Sequence, residues 1–362
     1  MIIISKGVFE DGAVGSRRAV VIQGVLASLG ALAVALGGCV RPAPEAAREV
    51  VTPEPVPTPA LTVVTTFLPM THFTQVVAGT RATVIPLLPS NGDPHDFQAR
   101  PQDVQTLATA DVLVKNGLGM EEFLEGLIAN ANNPNLRVID SSKGVTPLMN
   151  PEEKDHGHSH GHSHGHSHGH SHGHSHGHSH GHSHAHSHGP ENPHIWLDPK
   201  RAQQQVSNIR DGLMAADPQG SEIYQTNAEN FINQLQQLDQ EITAMLAPFR
   251  GKTFVTYHDA APYFADSYGL KVTFLVGIPS QNPSPADVRR VMDTVKTSDL
   301  KTLLTEPGAS DAFATLAQDL GVKVSTFDVL ETTDQDPIPA DYYLRVMRQN
   351  AQNLRTAFGG EG

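Results

Sequence analysis

The chain has 362 residues, 38% of them hydrophobic and 17% charged, with a formal net charge of −13. Its length allows two domains, and its composition excludes a multi-span membrane protein or a wholly disordered chain. The acidic balance argues against nucleic acid as a partner, because phosphate binding relies on basic patches.

The N-terminus carries an apolar run over residues 20–38, preceded by Arg17 and Arg18 and closed by Leu36-Gly37-Gly38-Cys39. A basic start, an apolar stretch and small residues before a cut form an export signal. The small residues before Cys39 resemble a lipobox, which makes Cys39 the lipid-bearing mature N-terminus and places the protein outside the cytoplasm, in the periplasm or at the cell surface, anchored to the membrane. An uncleaved transmembrane anchor and a buried structural thiol are the alternatives. Residues 16–21 also resemble a weak twin-arginine signal without its usual Phe-Leu, so Sec and twin-arginine export both stay open. Loss of residues 1–38 removes three basic residues (Lys6, Arg17, Arg18) and two acidic ones (Glu10, Asp11), leaving −14. A cation suits that charge. Cys39 is the single cysteine, so disulfides and thiolate metal sites are excluded within the chain and any metal must be held by histidine and carboxylate.

Residues 39–60 are rich in proline (Pro42, Pro44, Pro53, Pro55, Pro57, Pro59) and form a semi-extended tether. Short β-branched runs at 61–67, 83–88, 111–115 and 136–140 then predict strands, separated by helical spacing at 100–110 and 120–130. The same scheme returns with strands at 253–257, 271–276, 301–305 and 322–327. The expected class is α/β, with two similar lobes at 61–216 and 251–362, each built on a parallel sheet. Between them Tyr224, Ala228, Phe231, Leu235, Leu238, Ile242 and Met245 recur every three or four residues. This stripe predicts one long helix within 217–250 that bridges the lobes, although a helix packed inside one lobe gives the same pattern.

From 156 to 188 every even position is histidine: His156, His158, His160, His162, His164, His166, His168, His170, His172, His174, His176, His178, His180, His182, His184, His186 and His188, spaced by Gly, Ser and one Ala. Residues 151–190 are therefore expected to be a disordered loop inside the first lobe, since this composition forms no packed core. Imidazole binds zinc, copper and nickel, and a flexible chain gathers several donors around one ion without a preformed cavity. As a Gly/Ser-like coil it spans roughly 30 Å root-mean-square, enough to reach a site elsewhere on the lobe. A repeat of drifting length with no function is the alternative.

Outside the repeat only His72, His95, His194 and His258 remain. His95 lies in a turn-rich loop after a predicted strand, and His258 directly follows another. In open α/β sheets ligands bind beyond the carboxyl ends of strands. His194 comes just after the repeat, beside the only tryptophan, Trp196. His72 belongs to the first helix and reads as structural. Three imidazoles suit zinc, with a carboxylate or water in the fourth position. Asp328, Glu306 and Glu331 are candidates for that position, and spacing alone does not choose among them.

At these residues the chain resembles the substrate-binding proteins of bacterial zinc and manganese ABC importers, most closely the zinc-uptake type. The resemblance covers about residues 61–358. It rests on His95-Asp96-Phe97 followed by Arg100-Pro101, on Asn192-Pro193-His194-Ile195-Trp196-Leu197-Asp198-Pro199, on Tyr257-His258-Asp259-Ala260, on Thr305-Glu306-Pro307 and on Phe327-Asp328. It implies two α/β lobes joined by a rigid long helix, with Zn2+ bound as transported ligand in the cleft by His95, His194 and His258. The family's fourth ligand, where an aspartate is used, maps best to Asp328. A glutamate replaces His258 in manganese-type relatives, so histidine there favours zinc. The expected partners are a zinc ABC transporter permease with its ATPase, and the protein is expected to be a monomer. Three rival readings stand beside this one: an importer component for manganese or another divalent metal, a zinc-storage or adhesin lipoprotein, and a zinc hydrolase with a water on the metal.

Ligation needs neutral imidazole, whose unperturbed pKa is about 6.5. Titration of the isolated 156–188 segment with zinc is therefore expected to give much weaker binding at pH 5 than at pH 7.5. Equal affinity at the two would contradict metal capture by the repeat.

Overall fold

Each of the eight β-branched runs forms a strand, and all the pairings between them are parallel. In a computed structural model of the chain, residues 59–150, 190–277, 283–307 and 311–360 are described. Cys39 and the repeat at 156–188 lie outside them.

The first lobe holds β1 (Leu61–Thr65), β2 (Ala82–Pro86), β3 (Val112–Lys115) and β4 (Arg137–Asp140) in the spatial order β2-β1-β3-β4. Val63 stands opposite both Val84 and Val112, and Val114 opposite Ile139. The central strands β1 and β3 are almost wholly buried, which is why they read as continuous apolar runs rather than alternating ones. Parallel neighbours need crossovers, supplied here by α1 (Leu68–Ala78), α2 (Pro101–Ala108) and α3 (Leu124–Ala131).

After the repeat, a single 3-10 turn at Ile195–Leu197 leads into α4 (Pro199–Ala216). Asp198 caps that helix, its carboxylate accepting from the Lys200 N–H at 3.1 Å, and Pro199 occupies the first turn, where no donor is needed.

The predicted long helix is α5 (Ser221–Leu246). Its buried residues are those of the stripe, with Leu246 taking the buried place and Met245 only partly covered. One end is tied to the first lobe, where the Arg81 guanidinium donates to Asp217 at 2.7 and 3.0 Å and the Asn227 amide donates to the Val77 carbonyl. The other end meets the second half, where Tyr268 donates to Asp239 and Arg348 pairs with Glu241. The helix therefore bridges the two halves, and one apolar cluster follows it from Val63 through Phe231 to Phe327.

The second half contains β5 (Thr253–His258), α6 (Pro262–Tyr268), β6 (Lys271–Val276), α7 (Pro285–Thr297), β7 (Thr302–Thr305), α8 (Asp311–Leu320), β8 (Lys323–Thr326) and α9 (Tyr342–Ala357). The repeated scheme predicts a second four-stranded sheet. Instead β5 pairs with β6 and β7 with β8 as two ladders, and β5 runs beside β7 without a ladder between them. At the end of β5 the His258 N–H turns to the Glu306 carboxylate rather than to a neighbouring strand's carbonyl. A second apolar cluster, including Val255, Leu275, Val291 and Phe313, fills the space under α7 and α8. No helix among the described residues is long and apolar enough to cross a membrane.

His72, read as structural, is inside the core. It is 2% exposed, is ringed by Phe73, Phe231 and Tyr342, and shares a hydrogen bond of 3.2 Å with the Pro339 carbonyl, so its Nε2 carries the proton. Burial drives its pKa down to about 4. Between pH 6.5 and 4 the unfolded chain protonates this ring and the folded chain does not, so stability falls as pH falls through that window. Denaturant unfolding at pH 7 and pH 4.5 should show His72→Phe losing less stability on acidification than the parent, by up to roughly 3 kcal/mol. The same loss in both would contradict a neutral buried His72.

Candidate metal centre

Four segments converge between the two halves. His95 sits in the loop after β2, where the Asp93 carboxylate accepts from the His95 N–H at 2.8 Å and holds the turn. His194 precedes the 3-10 turn at Ile195–Leu197 and is completely buried. His258 is the last residue of β5. The fourth is Glu331, in the loop after β8.

Glu331 reaches the site because of a local backbone turn. Asn350 on α9 clamps Asp328 through both its backbone N–H (2.8 Å) and its carbonyl (2.7 Å). The Asp328 carboxylate in turn accepts from the Leu330 N–H at 2.8 Å, and Leu330 adopts φ 63°, a left-handed conformation uncommon for a leucine. This compact turn presents Glu331 to the three rings. The loop is further fixed where Thr333 donates to the Ser90 carbonyl at 2.6 Å, which joins it to the loop of His95, and where the Trp196 indole donates to the Val329 carbonyl at 2.8 Å.

The donor atoms are close together. Glu331 Oε1 lies 3.1 Å from His95 Nε2, 3.4 Å from His194 Nε2 and 3.8 Å from His258 Nε2, and the two last nitrogens are 3.4 Å apart. One ligand atom from each residue falls within 4.8 Å of all the others. A zinc ion with bonds near 2.0–2.1 Å in a tetrahedron needs donors about 3.3 Å apart. The spacing fits one such ion.

Of the residues singled out in the sequence, His95, His194 and His258 are brought together and Asp328 is not in the group. Its carboxylate is occupied by the turn, and burial with the nearby Glu306 and Glu331 charges raises its pKa. The fourth oxygen is that of Glu331, the alternative that spacing alone did not distinguish. Glu306 takes another place: its carboxylate hydrogen-bonds His258 Nδ1, the ring nitrogen on the far side from the cluster. A carboxylate behind a ligating imidazole fixes its orientation and strengthens it as a donor. Asn192 plays the corresponding part behind His194, its Oδ1 lying 3.0 Å from Nδ1. In the sequence Asn192 is one residue of the His194 motif, and only the folded geometry gives it this contact.

The charges are strongly coupled. Burial penalises the Glu331 carboxylate, but the His95 and His258 rings and the hydrogen bonds of His194 and His95 outweigh that cost and hold it well below the usual range. His194 is driven down to about 3, mainly by burial, so its ring is neutral at pH 7. Burial also opposes a charge on His258, yet Glu306 and Glu331 reverse the sign and raise it to about 10. The Glu331 carboxylate and the His258 ring thus favour each other's charged forms, and a cation binding there would compete with protons for the ring nitrogens.

Residues 63–357 match the family described as ZnuA, zinc-uptake complex component A, periplasmic. The chain is 32% identical over 307 residues to the zinc-binding lipoprotein AdcA of Streptococcus pneumoniae strain R6, a match covering 83% of this chain and 56% of that protein. It thus spans about half the length of that relative. It is also 32% identical over 298 residues to the high-affinity zinc uptake system protein ZnuA of Bacillus subtilis strain 168, covering 82% and 86% of the two chains. Among solved structures it is similar to the Zn(II)-bound ZnuA-like domain of Streptococcus pneumoniae AdcA, with a TM-score of 0.64 and 28% identity over 82% of this chain and 98% of that one. With its two α/β halves, its bridging helix and a match over most of its length, the chain belongs to the ZnuA family.

Proposed function

We propose that the chain is an exported zinc-binding protein, anchored by lipid on Cys39, that captures Zn2+ between its lobes and delivers it to an ABC permease driven by its ATPase. The observation that carries this reading is the convergence of His95, His194, His258 and Glu331, with one ligand atom of each within 4.8 Å of all the others. Three nitrogens and one oxygen suit zinc, whereas manganese favours oxygen-rich, higher coordination. Four protein donors also leave no open position for a metal-bound water, which a hydrolase would need. The protein therefore performs no chemistry in this account.

The proposed lobes are 61–216 and 251–362, with 217–250 as the linking helix and 151–190 as an accessory loop. Asn150 donates to the Pro190 carbonyl at 2.9 Å, and an isolated antiparallel bridge joins Met149 to Glu191. The repeat thus leaves and rejoins the fold a few residues from His194, which supports a role in gathering zinc beside the cleft. A storage or adhesin protein would instead lose its tight zinc site with the repeat.

Calorimetric titration of a form lacking 156–188 tests this. One tight zinc site should remain, weakened about tenfold or more by His258→Ala and by Glu331→Ala. Asp328→Asn should leave it within about threefold of the parent, because Asp328 supports the turn without touching the ion. Loss of all tight binding on deletion would contradict the cleft site, and unchanged affinity in His258→Ala would remove that residue from it.

A further inference from the structure

Asn192 is 1% exposed, and every polar atom it has is engaged. Its Oδ1 faces both the His194 N–H (3.1 Å) and His194 Nδ1 (3.0 Å). Its Nδ2 donates to the Asp259 carbonyl at 2.9 Å and to Asn150 Oδ1 at 3.0 Å. Its own N–H donates to the Leu148 carbonyl, and its carbonyl accepts from the Tyr263 hydroxyl at 2.6 Å.

Two of these partners determine which way the amide points. A backbone N–H only donates and a backbone carbonyl only accepts, so Oδ1 must face His194 and Nδ2 must face Asp259. With an acceptor opposite it, His194 Nδ1 has to carry the proton. Its Nε2 is then the bare nitrogen. That outcome is not automatic, because Glu331 Oε1 lies 3.4 Å from Nε2 and would draw the proton to that side of the ring. A proton on Nε2 would block the atom a metal needs. Asn192 also spans the cleft, since Asp259 directly follows His258 at the end of β5.

We propose that Asn192 is a positioning residue for metal capture: it holds His194 in the Nδ1–H form, with Nε2 bare, and ties it to the strand end that carries His258. This rests on the reading of the cluster as a zinc site. Replacing such a partner behind a ligand typically costs tenfold to a hundredfold in metal affinity.

The test uses the full chain. Nitrogen-15 NMR of the metal-free, histidine-labelled protein, with the His194 signal identified by its loss in His194→Gln, should show the Nδ1–H tautomer. Asn192→Ala should shift it toward Nε2–H, and Asn192→Asp, which keeps the acceptor, should preserve Nδ1–H. Zinc at the cleft is read by Trp196, the only tryptophan, whose ring centroid is 5.2 Å from that of His194. By its fluorescence Asn192→Ala should bind about tenfold or more weakly. A wild-type His194 protonated on Nε2 overturns the proposal, and it decides the matter even if Asn192→Ala fails to fold. So does an alanine variant with unchanged tautomer and affinity, or an aspartate variant in which His194 carries its proton on Nε2. Absence of a tight calorimetric zinc site in the form lacking 156–188 would instead remove the metal site itself, and the proposal with it.

Discussion

Glu331 is a carboxylate almost wholly removed from water, 6% exposed, with three imidazoles around one of its oxygens. Taking such a charge out of water costs several kcal/mol unless partners replace the lost hydration. Here the replacement comes from rings on three separate segments, and each ring has to be held in place from behind. Glu306 does this for His258, Asn192 for His194, and the Asp93 turn sets the His95 loop. The site is a balance of buried charges whose grouped donors could hold a metal ion.

That balance makes demands on the surrounding scaffold. Donors about 3.3 Å apart tolerate little drift before an ion no longer fits. Helix α5 makes polar contacts towards both halves, through Tyr224 and the preceding Asp217 with Arg81 at one end and through Asp239 and Glu241 at the other. The Glu331 loop is fastened to α9 through Asn350, to the His194 segment through Trp196, and to the His95 loop through Thr333. Tyr343 on α9 also donates to the Trp196 carbonyl at 2.7 Å. The polar contacts that link the segments therefore bind the loops bearing His95, His194 and Glu331 to one another as well as to the core.

Much of this was legible from residue order. The β-branched runs mark the eight strands of the described residues, most plainly β1 and β3, which are almost wholly buried and so continuously apolar, and the α5 stripe marks its helix because one face must be buried along its whole length. The three histidines stand out because they follow strand ends or the repeat. What stayed hidden depends on contacts between distant residues. Glu331 could not be separated from Asp328 and Glu306, since the choice turns on a left-handed Leu330 and on an Asn350 clamp from 22 residues away. The roles of Glu306 and Asn192 likewise exist only once β5, β7 and the His194 segment meet. The split of the second sheet is of the same kind, since it depends on how β5 and β7 meet and not on the composition of either strand.

The repeat first draws attention to metal, but among the described residues the cluster of possible donors lies between the two halves. A zinc-edge anomalous difference map from crystals of the form lacking 156–188, loaded with one equivalent of zinc, tests this most directly. A single peak about 2.0–2.2 Å from Nε2 of His95, His194 and His258 and from a Glu331 oxygen is the predicted result. A peak anywhere else, or one ligated by Asp328 in place of Glu331, would contradict it.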